Sequence, residues 1–243
     1  MTATTRQIDF SDLNPEQQEA VRTTQGRILI LAGAGSGKTR VLTFRMAHLI
    51  GNLGVDPSNI LGLTFTNKAA AEMRERIAQM VDKNAARKIT LSTFHSFCMQ
   101  ILRKEIHRLG YTPKFTLYDE EDMRRLVTLI ARDLLDHDSE LPSVASVLAE
   151  ISKARNQGLD PDQVEMSGDT WFDTFVIQCY QRLQAAMRAY DAIDFDGLLC
   201  LTVQLFREHP DILAKYQEQY QYIMIDEYQD TNPIQFQIVD LLA

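Results

Sequence analysis

Cysteine is scarce in this chain and poorly placed for chemistry. Cys98, Cys179 and Cys200 have no CxxC spacing and are odd in number, so neither a disulfide framework nor a zinc site is indicated. Buried free thiols in a reducing compartment are the expectation. Long apolar runs are also missing. None approaches the ~18 residues that suggest a membrane span, and the polar stretch from Met1 to Phe10 lacks an apolar signal core. A cytoplasmic address without membrane association is therefore expected. Basic charge is in deficit: 25 Lys and Arg against 33 Asp and Glu leave a net charge of -8. That counts against a partner held on a broad basic face. A narrow groove is governed by local charge, so nucleic acid stays open there. No internal repeat is present. What remains is ordinary for a globular chain: 243 residues, 45% hydrophobic and 24% charged, long enough for a substantial core and one to two domains.

The texture changes twice along the chain. From Leu13 to about Gly110, short aliphatic runs alternate with amphipathic stretches. The runs are Arg27 to Ala32, Ile60 to Phe65 and Lys88 to Leu91. Strand alternating with helix predicts a mostly parallel sheet with helices on both faces. Asn14-Pro15 marks a helix start, and Thr66 another. From about Tyr111 to Arg188 the pattern is almost wholly helical, as in Met123, Leu126, Val127, Ile130 and Leu134. The weak strand signal there is Lys114 to Leu117. Amphipathic spacing puts Trp171 in the core. Lys153, Arg155 and Arg188 read equally as solvated faces or as contacts. The α/β texture then resumes, with a short apolar run at Tyr222 to Ile225 that ends in Asp226-Glu227.

The run Ile28 to Leu31 leads into Ala32-Gly33-Ala34-Gly35-Ser36-Gly37-Lys38-Thr39 and then into an apolar helix. The spacing is that of a phosphate-binding loop, with Ala32 in place of its first glycine. Small residues let backbone N–H groups close around phosphate oxygens, and the helix N-terminus adds partial positive charge. Lys38 can reach the β- and γ-phosphates and Thr39 can ligate Mg²⁺. A plain glycine-rich turn is the alternative. The loop alone does not separate kinases from hydrolases. Hydrolysis needs a further acidic group near the metal, and the strand end supplies two. Asp226 would hold Mg²⁺ through water and Glu227 would be the base for the attacking water. An exposed acidic strand end is the competing reading. Lys38 and Asp226 are far apart in sequence, and the helical stretch accounts for much of the gap. The expected organisation is a discontinuous nucleotide-binding domain, residues 1–110 and 189–243, with an all-helical subdomain, residues 111–188, inserted into it.

Several segments together resemble one family. Leu13 to Val21 looks like its adenine-reading Q motif, Ala32 to Thr39 like motif I, and Leu63 to Ala70 like motif Ia. Thr90 to Ser96 matches the next DNA-contacting motif, Asp194 to Leu199 a later one, and Ile225 to Asn232 motif II. The chain thus resembles the UvrD/Rep/PcrA group of superfamily 1 DNA helicases from Leu13 to its end. The resemblance implies a RecA-like P-loop fold and an ATP-driven motor moving 3′ to 5′ on single-stranded DNA, in repair or replication. It implies Mg²⁺ and ATP as cofactors, and single-stranded DNA with a duplex junction as partners. Gln17 would hydrogen-bond adenine, with Arg40 close to the nucleotide. Phe65, Asn67, His95 and Phe195 would line the strand path. Exposed aromatics suit a motor because every base has a face to stack. Thr66 belongs to the same segment, and Lys68 can take a phosphate. Phe65 at a strand end and His95 at a helix start also read as ordinary structural residues.

Gly197 stands where relatives commonly carry a second aspartate, so a weakened helix start is expected there. The second motor domain of the family, with its arginine fingers, has no counterpart in these residues. A fragment of this kind is expected to bind Mg²⁺–ATP weakly, to hydrolyse it very slowly and not to unwind duplex alone. A truncated nucleotide- or DNA-binding paralogue and a P-loop kinase are the rival expectations.

Overall fold

The structure, a computed structural model, describes residues 7–33, 35–135, 140–164 and 170–243. Local chemistry sets the helix starts. Asn14 caps α1 (Pro15–Arg22): its side chain accepts from the Gln17 N–H, and the Gln17 side chain accepts from the Asn14 N–H. Gly37, at φ +86°, opens α2 (Lys38–Gly51) with no side-chain cap. β1 (Ile60–Thr64) leads to α3 (Asn67–Met80), capped by the Thr66 hydroxyl. Asp82 caps α4 (Lys83–Lys88), which precedes β2 (Thr90–Thr93) and α5 (Phe94–Glu105). Next come β3 (Thr116–Leu117), α6 (Glu120–Leu134), α7 (Val144–Asn156) and α8 (Thr170–Ala189). They are followed by β4 (Ala192–Ile193), α9 (Phe195–Glu208) and α10 (Pro210–Gln219). β5 (Tyr222–Ile225) and α11 (Pro233–Leu242) close the series.

These elements form two compact units. The first comprises the described residues up to Phe94 with Ala214–Asp230 and Leu242–Ala243, the second His95–Leu213 with Thr231–Leu241. The division falls at 94/95, ahead of the expected boundary at 110/111.

The first unit is built on a parallel sheet of order β2-β1-β5. Gly62 of β1 stands opposite Leu91 and Met224, and Leu63 opposite Ser92 and Ile225. One face packs Ile60, Leu91 and Met224 against Met46 and Leu49 of α2 and Met73 and Ile77 of α3. Leu61 and Leu63 point to the opposite face and are equally buried. Burial on both faces explains why β1 reads as a continuous apolar run. Gly62 is where helix and sheet meet most closely: a Cβ there would lie 2.4 Å from Leu91 Cδ2 and 2.8 Å from Met46 Cε.

One expected strand is corrected. Residues 27–33 carry no regular secondary structure and join neither sheet. Ile28, Leu29 and Leu31 are exposed, Leu31 to 86%. An apolar run becomes a strand only where it joins a ladder and packs a face, and residues 27–33 pair with none of the described strands.

The second unit is mainly helical. Met123, Val127 and Ile130 of α6, Val147 and Ile151 of α7, and Val176, Cys179 and Leu183 of α8 share a core. β3 and β4 pair in parallel, Thr116 with Ala192 and Leu117 with Ile193, which realises the weak strand signal near Leu117. Trp171 is corrected from core to surface. It is 58% exposed and stacks on Phe175 at 5.5 Å. It occupies the first turn of α8, and the buried face of that helix begins only at Phe175 and Val176. All three cysteines are free, with Cys98 and Cys179 buried; burial pushes the Cys98 thiol up to about 12. No described helix is long and apolar enough to cross a membrane.

Candidate functional site

The carboxyl edge of the parallel sheet in the first unit gathers the expected nucleotide residues, the edge at which open α/β sheets receive ligands. The glycine-rich loop ends where α2 begins. Gly37 supplies the left-handed turn, and the uncapped helix end leaves backbone N–H groups for an anion. Ser36 Oγ donates to the Gly33 carbonyl at 2.7 Å. Lys38 Nζ donates to the carbonyls of Ala32 at 3.2 Å and Gly33 at 3.4 Å, so the ammonium rests on its own loop. Gly35 also has a positive φ. Ala34 lies outside the described residues. Gln17 donates from Nε2 to the Ser36 carbonyl at 2.9 Å while its Oε1 serves the α1 cap. Its carboxamide is therefore fixed against the loop. Arg40 is exposed, with its guanidinium over the Phe44 ring at 5.5 Å.

The acidic strand end meets this loop. The Asp226 N–H donates to the Leu63 carbonyl at 2.9 Å, carrying the β5–β1 ladder one residue past β5. That fixes the Asp226 side chain, whose Oδ2 accepts from Thr39 Oγ1 at 3.1 Å across 187 positions of sequence. Its other oxygen, Oδ1, is buried with no hydrogen-bond partner. Burial raises the Asp226 pKa above the usual carboxylate range; the Thr39 hydrogen bond opposes the shift, the neighbouring Glu227 adds to it and Lys38 opposes it. Glu227 is half-buried at φ +54°, a left-handed backbone that costs a residue with a Cβ. Its carboxylate accepts from Gln229 Nε2. The loop, the hydroxyl and the carboxylate pair are thus brought together.

The residues expected to meet DNA divide between the units. In the first, Phe65 follows β1, is 36% exposed and leans on Phe94 at 6.0 Å. Thr66, Asn67 and Lys68 open α3 and are exposed, with Lys68 4.0 Å from Glu72. In the second, His95 meets the Phe195 ring edge-on at 5.9 Å, and Phe195 is 51% exposed. Burial holds the His95 imidazole below its usual range, with Asp196 pulling it upward.

Sequence reasoning missed the residues around Phe195. Arg155 is no solvated face: it is buried and donates to Asp194 Oδ2 at 2.7 Å, with its guanidinium over the Tyr180 ring. The partners lie 39 positions apart, and no local pattern announces such a pair. Gly197 is the third residue of α9. Its N–H donates to Asp194 Oδ1 at 3.1 Å, and a Cβ there would lie 2.7 Å from that oxygen. The glycine lets Asp194 cap the helix and hold Arg155 at once.

A parallel sheet whose carboxyl edge joins a glycine-rich loop, a helix start and an acidic strand end is a P-loop fold of RecA type. Within that class the chain belongs to the UvrD/REP helicase N-terminal domain family, which matches residues 13–243. It is 46% identical over 231 residues to the ATP-dependent DNA helicase PcrA of Leuconostoc citreum, covering 95% of this chain and 31% of that protein. It is 42% identical over 234 residues to the protein of the same name from Bacillus subtilis (strain 168), covering 96% and 31%. The Staphylococcus aureus (strain COL) relative is 42% identical over 237 residues, covering 96% and 32%. The chain spans about a third of the length of the curated relatives it matches.

Proposed function

We propose that this chain is the ATP-binding N-terminal portion of a cytoplasmic ATP-dependent DNA helicase that moves 3′ to 5′ on single-stranded DNA and works at duplex junctions in repair or replication. One observation carries the reading: the Thr39 hydroxyl on Asp226 at 3.1 Å, beside a buried carboxylate oxygen without a partner. A buried orphan oxygen is costly, and a cation accounts for it. The Thr39 hydroxyl and the Asp226 carboxylate are hard oxygen donors that would suit Mg²⁺. When bound, Mg²⁺ neutralises charge on the phosphates.

The residues of the chain then divide the work. Lys38 exchanges the Ala32 and Gly33 carbonyls for the β- and γ-phosphates, and the N–H groups of Gly33 to Thr39 hold the phosphate oxygens. Gln17 reads adenine from a side chain already tied to the loop, with Arg40 beside the nucleotide. Glu227 accepts the proton of the attacking water, and Gln229 orients its carboxylate. Phe65, His95 and Phe195 stack bases without regard to sequence. Thr66, Asn67 and Lys68 offer polar and cationic contacts to the backbone.

Anisotropy with labelled oligothymidylate tests the DNA half of this reading. Binding is expected to weaken as salt rises, and Phe65→Ala or Phe195→Ala to weaken it about 5-fold to 150-fold, the usual worth of one base–aromatic stack. Undiminished binding in both variants would overturn the strand path.

A further inference from the structure

Phe195 stands between two carboxylates anchored to one face of α7. Asp194 is held by Arg155 at 2.7 Å, and Asp196 Oδ2 accepts from Ser152 Oγ at 2.6 Å. Ser152, Arg155 and Asn156 are three and four residues apart, so they share that face.

The hydrogen bonds beyond Ser152 have a fixed direction. At the start of α11, Asn232 Oδ1 accepts from the Gln235 N–H at 2.9 Å, so its Nδ2 is left to donate. It donates to Asn156 Oδ1 at 2.6 Å. That sets the Asn156 amide, whose Nδ2 faces the Ser152 carbonyl at 2.9 Å and Ser152 Oγ at 3.3 Å. With its oxygen accepting from Asn156, Ser152 has one hydrogen to give, and Asp196 receives it. Each donor is oriented by the group behind it, and aligned chains of this kind polarise one another.

We infer that Asn232, Asn156 and Ser152 are positioning residues that set the Phe195 ring for base stacking, through Asp196. This rests on the proposal that Phe195 stacks on DNA, and it goes beyond that proposal by placing control of the ring at the cap of α11. Asn232 follows Glu227 closely in sequence, so the segment leaving the acidic strand end also begins the relay.

Asn232→Asp is the discriminating variant. Aspartate still accepts from the Gln235 N–H and caps α11, but it cannot donate to Asn156. The probe is oligothymidylate carrying one 2-aminopurine, whose fluorescence falls when it stacks, titrated into this chain alongside thermal melting. Asn232→Asp and Ser152→Ala are expected to bind about 5-fold more weakly or worse, the lower end of one lost stack. They should lose the quench as Phe195→Ala does, while still melting cooperatively well above the titration temperature. Ser152→Thr keeps a hydroxyl and should keep the quench, and the Asn232→Asp, Ser152→Ala double variant should be no worse than either single one. Wild-type binding and quench in both single variants, with Phe195→Ala defective, would overturn the relay and leave the DNA reading standing. Wild-type behaviour in Phe195→Ala itself would remove that reading, and the relay with it.

Discussion

His95 is half-buried and edge-on to Phe195, and burial disfavours its charged form. The neutral imidazole is therefore favoured in the folded chain. As pH falls through the ordinary histidine range the unfolded chain takes the proton first, so the contribution of His95 to stability is lost toward its lower folded value. Melting temperature should drop between about pH 7.5 and 5.5, and drop less in His95→Gln. Parallel curves for the two proteins would contradict the burial argument. Gly197 carries a comparable lesson. Its missing Cβ leaves the space that Asp194 Oδ1 occupies as it caps α9.

β1 shows what packing demands of a whole element. Its five residues are all buried, and Gly62 keeps Leu91 and Met46 within reach of the strand. Gly62→Ala should cost about 1–3 kcal/mol, the usual penalty for overpacking, measured by urea denaturation. A neutral effect would mean that both side chains move aside freely. The same scale shows what could be read from the chain beforehand. α6 was legible because its apolar spacing repeats over four turns and its cap is local. β4 was not, since two residues carry no period and depend on β3 for their ladder. The run at Ile28 to Leu31 misled for the converse reason: its composition suits a strand, and a strand also needs neighbours. Arg155 and the Asn232–Asn156–Ser152 relay were invisible because each bond joins distant segments. The glycine-rich loop and the acidic strand end were legible because their chemistry is written in consecutive residues. The left-handed backbone of Glu227 and the orphan Oδ1 of Asp226 appear only once β5 is paired.

At the scale of the molecule, the candidate site residues divide between the two units. The first holds the phosphate loop, Asp226 and Glu227 at one sheet edge, together with Phe65 to Lys68, while the second holds His95, Phe195 and the hydrogen-bonded chain from Asn232 to Asp196. Chain continuity joins them four times, at Phe94–His95, Leu213–Ala214, Asp230–Thr231 and Leu241–Leu242. The chain belongs to the UvrD/REP helicase N-terminal domain family, and the function proposed above assigns nucleotide contacts to the first unit and strand contacts to both. That arrangement depends first on the loop and the strand end acting on one triphosphate. Calorimetric titration of ATP with and without Mg²⁺, on the wild type, Lys38→Ala and Asp226→Asn, tests this most directly. Lys38→Ala should lose nucleotide affinity under both conditions, and Asp226→Asn should lose the strengthening by Mg²⁺ while still binding ATP. Wild-type affinity in Lys38→Ala, or an undiminished Mg²⁺ effect in Asp226→Asn, would contradict it.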